Sequence, residues 1–518
     1  MPGSLADNVS SRLSTLAEPS SALCGLLRGI EKESLRITPD GTLSQRPHPQ
    51  ALGSALAHSS ITTDFSEAQL ELITGVHPSP EACLDELADI HSFVFENLEG
   101  ELLWPSSMPC LMSSDDAIPI GQYGTSNIGQ AKTVYRRGLG VRYGRLMQTI
   151  SGIHYNFSVP DSLWQQLGIT SQAQRTEAYF GLIRNFRRWS WLLIYAFGAS
   201  PAVCKSFTRQ LNHNLKPFDE GSLHLPYATS LRMGPLGYQS SAQSNLHVSY
   251  NSLDNYATSM LQALTDQYQP YIDQGVMQDG KRVQLNTAIL QIENEFYGTI
   301  RPKRTIQPGE RPVTALKARG VEYVEVRCVD LNPFLPLGID ATQIRFLDTF
   351  LLLCLLADSP QDTESESKAL LANQQLVVEQ GREPDLVLTR EDGAIGLAEW
   401  ATELLQACEP IAELLDNCHG GDAYARAHAE QAAKVADAET TPSAQVLATM
   451  AKDEVPFFRF TMQCAQITAD YFRQREFSAS SAERLTAEST ASLQRQAAIE
   501  AADEVDFETF LESYLALP

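Results

Sequence analysis

Carboxylates recur at strand spacing in this chain, in segments far apart in sequence. Gly29-Ile30-Glu31-Lys32-Glu33 carries two of them at positions i and i+2. Side chains alternate along a strand, so both project to one face, roughly 7 Å apart. A second set follows in Thr63-Asp64-Phe65-Ser66-Glu67-Ala68-Gln69-Leu70-Glu71. There Ala68, Leu70 and Leu72 alternate inward, and Glu71 shares the opposite face with Glu67 and Gln69. In Val321-Glu322-Tyr323-Val324-Glu325-Val326-Arg327 the core face is Val324, Val326 and Cys328, leaving Glu325 and Arg327 on the other. A fold that gathers these carboxylates on one sheet face must bring a cation to them, because like charges in a desolvated site repel.

Oxygen donors without a Cys/His cluster suit magnesium, and several magnesium ions together suit a nucleoside triphosphate. Taken alone, each Glu-x-Glu reads as a solvent-facing strand, here interleaved with Lys32 and Arg36. Company shifts the reading toward a shared site. His154 lies in Thr149-Ile150-Ser151-Gly152-Ile153-His154-Tyr155-Asn156-Phe157, where Ile153, Tyr155 and Phe157 take one face and His154 and Asn156 the other. A neutral imidazole added to a carboxylate site is a further metal ligand. Arg327 beside Glu325 suits a phosphoryl group in transfer, since a planar guanidinium stabilises the charge that develops. A plain Arg–Glu ion pair fits the same spacing, and both readings stay open.

Net charge bounds the partners. At −24 over 518 residues, the chain would repel nucleic acid and anionic membranes. With 43% hydrophobic and 20% charged residues it reads as an ordinary globular protein, long enough for more than one domain. Nine cysteines are scattered singly with no CxxC pair, which argues against zinc and for reduced thiols in the cytosol, most of them small buried hydrophobes. The first residues show no basic segment followed by an apolar one, so no signal peptide is expected, and the apolar runs 189–199 and 350–357 are too short to span a bilayer.

Strands are expected over 25–37, 61–64, 67–74, 149–159, 283–293 and 321–329, and helices over 80–99 and 172–197. Without regular βαβ alternation this pattern predicts an α+β fold with a largely antiparallel sheet. Past residue 340 the chain turns helical, over 341–357, 396–416, 423–437, 443–452, 456–474 and 481–500, and Asp358–Lys368 reads as a surface loop. Gln122–Lys132 is glycine-rich but lacks P-loop spacing, and reads as a flexible loop able to close over substrate, followed by Tyr135 and Arg136. Arg301-Pro302-Lys303-Arg304 reads as a basic loop able to meet phosphates.

Several long segments resemble glutamate–cysteine ligase of the proteobacterial type (gamma-glutamylcysteine synthetase). They are GIEKESLRI (29–37), ITTDFSEAQLELIT (61–74), WPSSMPC (104–110), QYGTSN (122–127), MQTISGIHYNFS (147–158), LPYATSLRMGPLGY (225–238), LQIENEFYGTIRPKR (290–304) and VEYVEVRCVDLNPF (321–334). The resemblance is colinear over about 25–340. It implies a glutamine synthetase-like curved antiparallel sheet whose concave face binds ATP and magnesium. The implied organisation is an N-terminal extension (1–24), a catalytic ATP/Mg-binding region (25–340) and a mainly helical region (341–518) packed on it.

The resemblance implies that Glu31, Glu33, Glu71, His154 and Glu325 bind more than one Mg2+, with Mn2+ as a substitute, and that Asp64 stands near them. Arg136 and Arg327 would meet the transferred phosphate. Arg232 and Gln148 would hold glutamate, with the Ile150 backbone nearby, and Tyr135, Tyr238 and Tyr297 would line the cysteine pocket. The implied reaction joins L-glutamate to L-cysteine with ATP as co-substrate, in a cytoplasmic monomer subject to glutathione feedback. A sister ligase with another amine acceptor, a non-catalytic binding regulator, and an interaction protein working through its acidic helices are the rival expectations.

Overall fold

The computed structural model describes residues 4–516 apart from 17, 110, 210, 238–241, 244–245 and 308. Its centre is a seven-stranded antiparallel sheet built from β1 (Leu27–Ile37), β2 (Ile61–Thr63), β3 (Gln69–Ile73), β4 (Leu102–Leu103), β5 (Ile153–Ser158), β6 (Ile300–Lys303) and β7 (Tyr323–Val329). The strand order is β6-β7-β5-β1-β3-β2, and β4 pairs with the end of β1. Because β1 sits in the middle and is paired on both sides, its two faces decide what the sheet separates.

One face is apolar. Ile30, Leu70, Leu72, Ile153, Tyr155, Phe157, Val324 and Val326 are buried there in a core shared with helices on both sides of the sheet sequence. The helices that position this core are α1 (Leu5–Ser14), α2 (Pro80–Glu96), α4 (Gln172–Trp189), α5 (Ala341–Leu356), α6 (Leu397–His419), α7 (Ala423–Ala436) and α8 (Ala479–Ala501), while α3 (Asn127–Tyr143) and α9 (Phe507–Leu515) meet in a small separate cluster. Asp340 opens α5 with a reciprocal capping box to Gln343, after which nearly every residue is apolar and buried. That all-round hydrophobicity places α5 in the interior, against α4, α6 and α7. Val9 and Leu13 of α1 lie in the same core, so the N-terminal segment and the late helices are built into it together.

A second core joins Leu35, Phe65, Trp104 and Met108 of the sheet side to Val446, Met450, Phe457 and Phe460 from the late helices. The region after residue 340 therefore contributes to both cores. It also contains elements that the sequence pattern did not suggest. Helix Glu364–Gln380 begins within the expected surface loop, and a hairpin Val387–Arg390/Gly393–Gly396 precedes α6.

Other expectations need correction. Residues 283–293 do not form a strand; Gln284, Gln291 and Glu295 instead hold an irregular clamp through hydrogen bonds to Tyr271 O, Gly275 O, Leu285 N and Gln291 N. Half of the proposed loop 122–132 is the start of α3, capped by the Ser126 hydroxyl on Gly129 N. The basic segment 301–304 is largely edge strand β6, not loop. The thiols are not all reduced: Cys24 and Cys418, 394 residues apart, form a disulfide with Cα atoms 5.7 Å apart. Cys83, Cys204, Cys328, Cys354, Cys408 and Cys464 are free and buried, and Cys110 lies outside the described residues. No described helix is long and apolar enough to cross a membrane.

Candidate active site

Strand register assembles the carboxylates. Glu33 lies directly across from Glu71 on β3, and Glu31 directly across from His154 on β5. Glu325 on β7 faces Asn156 on one side and Arg301 on the other. Residues opposite one another on neighbouring strands have Cβ atoms about 5 Å apart, so their side chains must interact. Asp64 follows β2 and joins the group from the sheet edge. All of them line one cavity of about 770 Å3, together with Arg136, Arg327, Gln148, Ile150, Tyr135 and Tyr297.

His154 is the hub. Its Nδ1 stands 3.2 Å from Glu31 Oε2 and 3.7 Å from Glu325 Oε1, while Nε2 is 3.8 Å from Glu33 Oε1. Burial, with Arg327 beside it, lowers the imidazole pKa and favours the neutral ring that coordinates metals. Asn156 Nδ2 donates to Glu31 Oε1 at 2.9 Å, and Gly152 N donates to Glu33 Oε2 at 2.7 Å.

The carboxylates fall into two electrostatic classes. Burial alone would raise the Glu325 pKa, but Lys303 at 3.3 Å, Arg327 at 3.4 Å and Arg301 at 3.9 Å overcome that and hold it well below the usual range. Glu71 has the opposite fate. Burial, with Glu31, Asp64 and Glu33 around it, pushes its pKa well above the ordinary value. Burial and the neighbouring Asp64 push Glu33 up to about 8, against the pull of Arg232 and Arg327.

Two triads bring ligand atoms within 4.8 Å of one another: Glu31, Glu71 and His154, and Glu33, Asp64 and Glu71. His154 Nε2 and Glu325 Oε2 are buried with no hydrogen-bond partner among the described residues. Buried polar atoms are normally satisfied, so His154 Nε2, left without a hydrogen bond beside mutually repelling carboxylates, fits a site for divalent cations.

The arginines differ in how they are held. Arg136 projects from α3 over the Tyr123 ring, 4.3 Å from its centroid, and its guanidinium donates to the carbonyl oxygens of Asp64, Thr63 and Lys132. It is thus fixed beside Asp64 before any ligand arrives. Arg327 lies over the cluster, its Nη1 3.3 Å from His154 Nδ1. Arg232 is not on the cavity wall. It is buried behind it, donating to Arg327 O at 2.9 Å, and a Cβ on Gly152 would stand 2.0 Å from its Nη2. Only glycine lets the β5 backbone pass that guanidinium.

Gln148 Nε2 donates to the Tyr297 hydroxyl at 3.1 Å, which joins two residues expected at different substrates. Tyr238 lies outside the described residues. Sequence reasoning missed Lys132, on the cavity wall one helical turn before Arg136, with its pKa lowered to about 8 by burial and by that arginine. It placed Arg301 and Lys303 on a basic loop able to meet phosphates, not on a strand beside Glu325. The i, i+2 spacing of this pair, set against Glu325 on β7, was the available signal for one strand face.

Such a cavity, with cationic side chains and acidic groups that could hold metal ions, is that of an enzyme acting on small anionic substrates. A model of the family described as glutamate-cysteine ligase matches residues 13–377. The glutamate–cysteine ligase of Pseudomonas entomophila is 49% identical over 518 residues, covering 99% of this chain and 98% of that protein. That of Pseudomonas fluorescens strain Pf0-1 is 50% identical over 520 residues, again at 99% and 98%. Among solved structures, glutamate–cysteine ligase from Francisella tularensis in complex with AMP superposes with a TM-score of 0.91 at 37% identity, covering 95% of this chain and 98% of that one. A bifunctional glutathione synthetase from Pasteurella multocida shares the fold, with a TM-score of 0.70 at 23% identity over 92% of this chain and 56% of its own. The chain belongs to the glutamate–cysteine ligase family.

Proposed function

We propose that this cavity is where the enzyme joins the γ-carboxylate of L-glutamate to the α-amine of L-cysteine at the expense of ATP, with the roles divided as follows. A carboxylate is a poor electrophile. Its oxygen first attacks the γ-phosphorus of ATP, forming an O–P bond as the bond to ADP breaks. The cysteine amine then attacks the acyl carbon of the γ-glutamyl phosphate, and phosphate leaves. The products are γ-glutamylcysteine, ADP and phosphate, and the reaction is the first step of glutathione biosynthesis.

Glu31, Glu33, Glu71, His154 and Glu325, with Asp64 beside them, would hold divalent cations, magnesium or in its place manganese. Bound there, the cations would neutralise triphosphate oxygens and bring two anionic reactants together. The chain's own part is positioning and electrostatics. Arg327 and the pre-anchored Arg136 offer planar donors on either side of the cluster for the transferred phosphoryl group. Gln148, with the Ile150 backbone nearby, would hold glutamate, and Tyr297 and Tyr135 of α3 would line the cysteine pocket beside it. Arg232 acts on glutamate by holding the β5–β7 backbone rather than from the open surface. The observation that carries this reading is the cross-strand carboxylate cluster, with its two triads of close ligand atoms and a His154 Nε2 left without a hydrogen bond.

In the same reading residues 25–340 supply the catalytic groups, while 1–24 and 341–518 brace them. The enzyme works in the cytoplasm as a monomer on free small molecules. Glutathione, which contains the γ-glutamylcysteine unit, competes for the site as a feedback inhibitor.

The test is ADP release with Mg-ATP and L-glutamate, with and without L-cysteine, replacing cysteine by serine, glycine or 2-aminobutyrate. Turnover stimulated by cysteine, with γ-glutamylcysteine seen by mass spectrometry, is expected. Preference for another amine would keep the phosphorylation machinery and move the acceptor. No ADP with any acceptor, from folded and metal-replete protein, would sink the reading.

A further inference from the structure

We propose that the last helix, α9, walls the part of the cavity that receives the nucleotide base, with Tyr514 supplying the ring against which the base packs. This rests on the reading of the cavity as the ATP site. It gives a direct binding role to a segment well beyond residue 377, where the family match ends.

The cavity has two chemistries. Strands β1, β3, β5 and β7 line it with carboxylates, His154 and Arg327, whereas Ile128, Ala131, Leu285, Ile292, Pro312 and Tyr514 line it with apolar surface. A nucleoside triphosphate requires both, a charged end for phosphates and a flat, apolar slot for the base. Helix α3 connects them. Ile128, Lys132, Arg136 and Leu139 lie on its cavity side at helical spacing. From Ile128 to Arg136 the helix rises about 12 Å, comparable to the span from a purine to the terminal phosphates. Along that line the wall changes from apolar, through the Lys132 ammonium, to the Arg136 guanidinium beside Asp64.

Helix α9 is fixed at the apolar end. Leu511 is buried with Ala131, Val134 and Leu285, and Phe507, Phe510 and Tyr514 pack on the same cluster. Asn127 N donates to Asp503 Oδ2 at 2.6 Å and Asn127 Nδ2 to Val505 O at 2.9 Å, so the segment leading into α9 also caps α3. Arg282 Nε donates to Glu508 Oε1 at 3.1 Å on the outer side. Tyr514 is consequently held, not trailing. Its phenol, with its pKa raised by burial, is near the Arg311–Glu293 pair, whose two contacts are 3.2 and 2.8 Å. That pair offers both donors and acceptors on the cavity wall for the polar edge of a base.

The experiment compares Tyr514→Ala and Tyr514→Phe with the unaltered enzyme. The alanine variant is expected to raise KM for ATP about tenfold, within the range of one base–aromatic stack, while KM for glutamate and cysteine stays within twofold. The phenylalanine variant should restore KM for ATP. Thermal shifts give a readout independent of turnover: Tyr514→Ala should lose most of the stabilisation by Mg-ADP and keep that by Mg-tripolyphosphate, which has no base. An unchanged KM for ATP in Tyr514→Ala would overturn the inference. So would equal loss of both thermal shifts, or a rise in all three KM values that phenylalanine does not reverse, since each marks a structural role only. Absence of any Mg-ADP shift in the unaltered protein would bring down the ATP reading of the cavity itself.

Discussion

The two faces of the central sheet treat buried charge in opposite ways. On the apolar face Arg28 and Asp348 are both fully buried, and their charges are matched: Arg28 Nη2 donates to Asp348 Oδ2 at 2.9 Å. The hydroxyls of Tyr155 and Tyr424 add bonds of 2.5 and 3.3 Å to the same carboxylate. On the cavity face the cations gather around Glu325, while Glu33 and Glu71 are left facing each other and His154 Nε2 has no hydrogen-bond partner among the described residues. A buried pair with its hydrogen bonds complete is a structural device. A buried cluster whose repulsion the protein leaves unrelieved is held for a ligand, and its cost is borne by the packing elsewhere.

Asp348→Ala tests the structural side and should have the largest effect on stability. It strands the Arg28 guanidinium and removes the acceptor of two tyrosines, costing about 3–5 kcal/mol. The measurement is the urea midpoint at unchanged m-value. Loss of activity with an unmoved midpoint would break the contrast between the faces.

Glu71→Gln tests the other side. It removes the carboxylate most opposed by its neighbours, so the metal-free protein should be no less stable. Turnover should fall about 10^2–10^3-fold, the loss typical when a group that stabilises transition-state charge is removed. The native enzyme should show the same asymmetry in its response to metal. Glu33, raised to about 8, is an acid that ionises later in the folded than in the unfolded chain. Metal-free stability is therefore fullest below about pH 4.5 as far as Glu33 is concerned, and declines as pH rises toward 8. Magnesium needs the ionised carboxylates, so it should raise Tm more at pH 8 than at pH 5, and chelation should abolish turnover. A magnesium shift that is equal at both values would mean that the cluster is not where the ion binds.

How much of this was legible depends on the range of the interaction. Alternation is local, so the opposite facing of Glu325 and Val324, or of His154 and Ile153, could be read from single segments. Which strands lie side by side could not, because the Glu33–Glu71 and Glu31–His154 pairings depend on chain crossings many residues long. Helix α3 was hidden by its glycines, which lower helix propensity. They answer to tertiary contacts: a Cβ on Gly129 would meet Tyr123 O at 2.3 Å, and one on Gly138 would meet Gln291 at 2.5 Å. The Cys24–Cys418 pair links residues with no sequence relation at all. Helix α9 was different, since Phe507, Phe510, Leu511 and Tyr514 already stand at helical spacing.

A last test lies between the two faces, at Lys32. This residue follows Glu31 on β1 but points into the apolar side, where its Nζ is 2.8 Å from His91 Nε2 and forms no ion pair among the described residues. Burial lowers its pKa to about 7, and the same burial, with Lys32 adjacent, holds His91 well below its usual range. In the unfolded chain Lys32 titrates near 10.5, so between about pH 7 and 10.5 the unfolded state binds the extra proton. Stability supplied by this group is thus full above pH 10.5 and is lost as pH falls toward 7. Lys32→Met keeps the volume and removes the titration, at the expense of His91's hydrogen bond, worth about 1 kcal/mol. It should raise the urea midpoint at pH 7, with the gain shrinking steadily toward pH 10. A gain that does not depend on pH would mean better packing alone. A loss at pH 7 would mean that Lys32 is charged in the fold, and that the apolar face, like the cavity, holds a charge it has not matched.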